Sequence, residues 1–140
     1  MTPITRSNLT TRSHFEEAYG YSRAVRVGET IFISGTVGLD YETGTMPQSP
    51  RDQMEQIAAN LELAVTGAGG DMADIAQIIV YVTGPDVFAE IGPVLKRVFG
   101  PVGPTNTALQ VQFPFPDIKV EVSATAIVGC GKNVELLKLR

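Results

Sequence analysis

Lys119-Val120-Glu121-Val122-Ser123-Ala124-Thr125-Ala126-Ile127-Val128 alternates along almost its whole length. With the period of two of an extended strand, Val120, Val122, Ala124, Ala126 and Val128 share one face, and Lys119, Glu121, Ser123 and Thr125 share the other. The apolar face needs a cover, and helices packed on a sheet provide one. The stretch before it reads the same way, with Thr107, Leu109 and Val111 on one side and Asn106, Ala108, Gln110 and Gln112 on the other. The helices are expected over the apolar side of both strands. Alternation alone leaves two readings of the polar side: a solvated sheet face, or a wet cavity or subunit interface.

Phe113-Pro114-Phe115-Pro116-Asp117 is a proline-rich turn between strands predicted over 107–112 and 119–128. Upstream, Phe88, Ile91, Leu95 and Val98 recur at helical spacing from about Asp86, closed by Gly100, with Pro93 expected to kink this helix or delay its start. Ala76 to Thr83 has the β-branched content of a strand. Ser49-Pro50 is an N-cap and a first-turn proline, followed by Met54, Ile57, Ala58, Leu61, Ala64 and Val65 on one helical face that should stop at Gly67 or Gly69. Gly38 to Ser49 is turn-rich and reads as a surface loop. Gly28-Glu29 between Val25-Arg26-Val27 and Thr30 to Ser34 fits a type II′ hairpin. Residues before Glu16 read as a loose arm. The order of strands, helix, strand, helix and strands gives an α+β domain with two helices on one face of a mixed sheet.

A chain of 140 residues suits one domain, 1–140, and its 44% hydrophobic and 19% charged residues fit a folded chain. A net charge of -4 with scattered Lys and Arg lacks the basic stripe that a phosphate backbone requires, so no nucleic acid partner is expected. Cys130 alone offers no intrachain disulfide, and with His14 as the single histidine no ordinary zinc site is implied. Met1 to Asn8 shows no signal pattern, and the longest apolar run, near Ile78 to Val82, is too short for a bilayer. The expectation is a cytoplasmic protein without membrane contact.

Gly20-Tyr21-Ser22-Arg23-Ala24-Val25-Arg26-Val27-Gly28, followed by Phe32-Ile33-Ser34-Gly35-Thr36, resembles the first signature of the reactive intermediate deaminase (Rid, or YjgF-like) family, where Pro-Tyr-Ser-Gln-Ala precedes Ser-Gly-Gln. Pro104 to Val111 and Val120 to Ala126 resemble its second signature. The resemblance implies a chorismate-mutase-like fold and a homotrimer whose sheets form a central barrel, with ligand clefts between subunits. It also implies hydrolysis of enamine or imine intermediates without a cofactor. Glu121 matches the family's water-positioning glutamate; the plainer reading is a carboxylate paired with a neighbouring chain. Tyr21, Ser34, Gly35 and Thr36 match positions that line the cleft, although a packed aromatic and a strand end would serve as generic readings. Phe99 is a candidate cleft wall, or simple core at a helix end.

Thr36 stands in place of the glutamine of Ser-Gly-Gln, and the second signature departs from the active pattern at two positions. Asn106 stands where active deaminases carry an arginine that grips the substrate carboxylate, and Ala108 replaces the nearby cysteine. A charge-assisted hydrogen bond is worth about 1.5–3 kcal/mol, which a neutral amide does not supply. Either the substrate lacks a carboxylate or another cation holds it, and Arg23, in place of the signature's glutamine, is the candidate; a surface arginine beside a hairpin is its ordinary alternative. Three functions follow: a small-molecule imine or enamine deaminase, a non-catalytic trimer binding a metabolite or a partner in the same clefts, and, disfavoured by acidity, a ribonuclease or translation inhibitor.

Overall fold

In the computed structural model, which describes residues 2–140, the chain enters through Arg6–Leu9 (β1), an edge strand antiparallel to Ala24–Val27 (β2). The arm before Glu16 is therefore not loose. Its first part pairs with the hairpin, and its second is a short helix, His14–Tyr19 (α1), begun by Ser13, whose hydroxyl accepts the Glu16 amide, and ended by Gly20 at φ 73°. Thr30–Thr36 (β3) pairs back on β2 with Val27 opposite Thr30. Gly28 takes φ 59° and Glu29 stays at negative φ, as a type II′ turn requires.

Ser49 caps Pro50–Gly67 (α2) by accepting the Asp52 amide. Ile75–Val82 (β4) follows, then Pro85–Phe99 (α3), Thr105–Gln110 (β5) and Val120–Ile127 (β6). Pro93 lies within α3, which starts at Pro85 and is not delayed by it. The six strands form one sheet in the order β1-β2-β3-β6-β4-β5. β4 and β5 are parallel, and α3 makes the crossover that parallel neighbours need.

The expected α+β architecture stands, with one strand and one short helix added. Ile31 and Ile33 of β3, Val120, Val122 and Ala124 of β6 and Ile78, Val80 and Val82 of β4 form one apolar face. Met54, Ile57, Leu61 and Val65 of α2 and Ile91 and Val94 of α3 are buried in the same core. In α3 the buried stripe is Val87, Ile91, Val94 and Phe99, while Phe88 is 38% exposed, so the face is rotated from the one read in the sequence.

Two amides inside α2 shape the loops around the sheet. Gln53 is fully buried; its Nε2 donates to the carbonyls of Pro47 and Asp117, and its Oε1 accepts the Lys119 amide. About two turns further along the same face, Asn60 donates to the carbonyls of Val37 and Leu39. Gly38 lies against the Gln53 backbone, where a Cβ would come within 2.8 Å. The 37–39 and 47 segments and the entry to β6 are thus hung from one helix.

Replacing the Gln53 amide by an apolar group leaves three part-buried backbone groups without their protein partner, at about 1–3 kcal/mol for each one that water does not reach. Gln53→Leu is expected to lower the urea midpoint by an amount equivalent to roughly 1–3 kcal/mol without changing the m-value. A shift under about 0.5 kcal/mol would show that the loops hold themselves.

Candidate active site

β3 and β6 lie side by side, which brings Ser34-Gly35-Thr36 against the start of β6. Between Ile33, opposite Ala124, and Thr36, opposite Val122, β3 carries one extra residue. Such bulges bend a strand and re-aim what it carries. Gly35 sits in this bulge, and a Cβ on it would lie 1.9 Å from Glu121 Oε1, so the glutamate carboxylate occupies the space that a side chain at position 35 would take.

Glu121 lies on the sheet face away from α2 and α3. Among the described residues nothing donates a hydrogen bond to its carboxylate. Burial pushes its pKa above the ordinary 4.5, and the nearby Arg23 guanidinium pulls the other way without cancelling the rise. The carboxylate borders a cavity of about 70 Å³ whose walls include Tyr21, Arg23, Gly35, Tyr41 and Phe15.

Arg23 is 5% exposed and is not the surface arginine of the generic reading. Its Nη1 donates to Gly35 O at 3.1 Å, Thr36 Oγ1 at 3.2 Å and Tyr41 Oη at 3.4 Å. Its Nε makes no hydrogen bond among the described residues but lies 3.4 Å from Glu16 Oε2, and its guanidinium carbon is 5.5 Å from the centre of the Tyr21 ring. Glu16 is itself buried. Burial alone would raise its pKa, but donation from the Thr11 and Thr10 hydroxyls, the Thr11 amide and the Ser13 hydroxyl outweighs that and lowers it. Glu16 is therefore a fixed anion that balances the Arg23 cation. Burial likewise raises the phenols of Tyr21 and Tyr41, against the opposing charge of Arg23.

Of the residues singled out in the sequence, the structure brings Tyr21, Arg23, Gly35 and Glu121 to one cavity. Ser34 Oγ donates to Ser22 O, tying the bulge to the entry of β2. Thr36 is fully buried and reaches the cavity only through its bond from Arg23. Phe99 is 5% exposed within the core, which corrects its reading as a cleft wall: a helix-end aromatic facing the sheet is held there by its own burial.

Asn106 and Ala108 lie elsewhere. They pair with Ile78 and Val80, which face the helices, so both are on the side opposite Glu121, and β4 stands between their strand and β6. This reverses the expected faces of β5: Thr107 and Leu109, paired with Ile79 and Tyr81, share the Glu121 side. No helix covers β5 and all six of its residues are exposed, so its alternation reflects no burial.

Sequence reading missed Glu16, Phe15 and Tyr41. The first two had a signal: Ser13-x-x-Glu16 has the spacing of a helix start, which would have placed Glu16 on an ordered element. Tyr41 sits in a loop whose composition announces turns and nothing more. No group of three or more metal-ligating side chains occurs among the described residues, and no helix there is long and apolar enough to cross a membrane.

A family profile described as "Endoribonuclease L-PSP" matches residues 11–128. The chain is 32% identical over 110 residues to the 2-iminobutanoate/2-iminopropanoate deaminase of Mus musculus, covering 78% of this chain and 82% of that one. It is 28% identical over 109 residues to the protein of the same name from Dermatophagoides farinae, covering 77% and 85%. Among solved structures, Rv2704 of Mycobacterium tuberculosis, a member of the YjgF/YER057c/UK114 family, superposes with a TM-score of 0.81 at 31% identity over 89% of this chain and all of that one. Escherichia coli TdcF with bound serine does so with a TM-score of 0.74 at 27% identity, covering 91% and 98%.

A carboxyl whose pKa is raised by folding contributes stability that is complete below its unfolded value, near 4.5, and lost as pH rises through the folded value. At about pH 8 the ionised Glu121 therefore burdens the fold, and Glu121→Gln is expected to have the higher Tm, with the gap closing as pH falls below the ordinary carboxyl range. A Tm gap that does not change with pH would show that folding does not raise the Glu121 pKa.

Proposed function

The chain belongs to the YjgF/Rid family, and from that premise we propose that it hydrolyses a reactive imine, or the enamine that tautomerises to it, with Glu121 handling the water. The observation that carries this reading is the Glu121 carboxylate: buried enough for its pKa to be raised, without a hydrogen-bond donor among the described residues, and set over a glycine in a cavity. A water held by such a carboxylate adds through oxygen to the imine carbon as the C=N π electrons move to nitrogen, which takes up a proton. The resulting carbinolamine loses its hydroxyl proton and expels ammonia, leaving a C=O in place of C=NH. Glu121 can accept the water's proton and return one to nitrogen, so one group of raised pKa serves both steps. No cofactor enters this scheme.

Arg23 has a more local role than a substrate clamp. With Nη1 committed to the bulge and Nε facing Glu16, it holds the Gly35 carbonyl and Tyr41 in place and sets the potential around Glu121. Tyr21 and the Gly35 backbone are the ligand-lining groups. Asn106 and Ala108 cannot reach Glu121 of their own chain, and we place them at the cleft of a neighbouring copy in a homotrimer, where the asparagine offers a substrate carboxylate only neutral donors. That favours weak holding of the simplest 2-imino acids. The departure at Asn106 also supports a second reading, a trimer that binds a metabolite without turning it over.

Ammonia release from freshly generated 2-iminopropanoate separates the two. Acceleration over the uncatalysed rate, reduced about 100-fold or more in Glu121→Gln, is the expected result, within the usual range for removing a general acid–base group. Equal rates for the two proteins would overturn the role of Glu121.

A further inference from the structure

The cavity at Glu121, about 70 Å³, has room for roughly two waters at about 30 Å³ each. It holds a reacting C=N and its water and little else. Beside it opens a groove of about 830 Å³, within the size range of small-molecule sites, and Ser13, Phe15, Leu39 and Tyr41 wall both spaces. A substrate seated at Glu121 has this larger groove beside it for its remaining atoms, past Phe15 and Tyr41.

The groove is built for an apolar group. Phe15 meets Phe115 edge to face with ring centres 5.1 Å apart, and Met46 and Ile118 lie on the same lining. Phe115 is 36% exposed and Phe15 only partly buried, so each ring keeps surface to offer. Charges are confined to Arg12, Asp117 and Lys119, with His14 beside them. The groove's far wall is also held in place from within, because the Pro47 and Asp117 carbonyls and the Lys119 amide are the three groups bound by the buried Gln53.

Resting on the imine-hydrolase reading, we propose that the substrate carries an aromatic or branched apolar substituent that lies in this groove between Phe115 and Met46, and that this burial supplies the hold which Asn106 does not. The site then selects by the size of the substituent.

The test compares 2-imino acids formed in situ by an amino-acid oxidase from alanine, leucine and phenylalanine. Ammonia release is followed for the wild-type chain, Phe115→Ala and Phe115→Leu, and the readout is the ratio of kcat/KM between the phenylalanine- and alanine-derived imines. The wild type is expected to favour the larger imine by roughly ten-fold or more, the ratio to fall toward unity in Phe115→Ala, and Phe115→Leu to recover part of it. Glu121-dependent turnover with no size preference, or a ratio unchanged in Phe115→Ala, overturns the groove and leaves the hydrolase standing. If no imine is turned over, the hydrolase reading fails, and the groove is judged by binding alone. A rise in Tm with phenylpyruvate, absent with pyruvate and lost in Phe115→Ala, sustains it, and no rise ends it.

Discussion

The register of β6 governs both the core and the site. This strand is held between β3 and β4, with Val122 opposite Val80 and Glu121 opposite Tyr81. Because side chains alternate, a slip of one residue would carry Glu121 under the helices and lift Val120, Val122, Ala124 and Ala126 out of the core. The apolar residues that α2 and α3 cover are therefore what keeps the carboxylate on the other face. Stability and chemistry are separated by one peptide unit along the same strand and cannot be arranged independently.

That coupling explains what was legible. β6 could be read directly, since its alternation is imposed by burial, and so could α2, where a cap and an apolar stripe agree. The Glu121 position followed from the same alternation together with family resemblance. β5 misled because an uncovered strand has no reason to sort its residues by face. β1 could not be seen, since Arg6-Ser7-Asn8-Leu9 has no apolar period; its pairing with β2 defines it. The cavity was the least legible part, because it depends on a bulge at Gly35 and on Arg23 meeting Glu16 across a loop.

Polar side chains buried around the sheet act chiefly by fixing backbone. Gln53 and Asn60 satisfy carbonyls and an amide in segments with no regular structure, and Arg23 does the same for the bulge while its charge is answered by Glu16. Buried polar networks of this kind raise the penalty of any misplacement, since each unmet donor or acceptor lies in a poorly solvated place. The walls around Glu121 are in this way built from irregular chain held as firmly as an element would be.

The bare edge of β5 bears on how the chain behaves at high concentration. Thr105-Asn106-Thr107-Ala108-Leu109-Gln110 carries no charge and no proline, the two common devices by which a sheet discourages wrong pairing at its rim. A newly made copy presents this border with its backbone groups unpaired. At high concentration the route to aggregation is thus strand-to-strand association of otherwise folded molecules, and a charge or a proline placed in β5 would oppose it more directly than a stronger core.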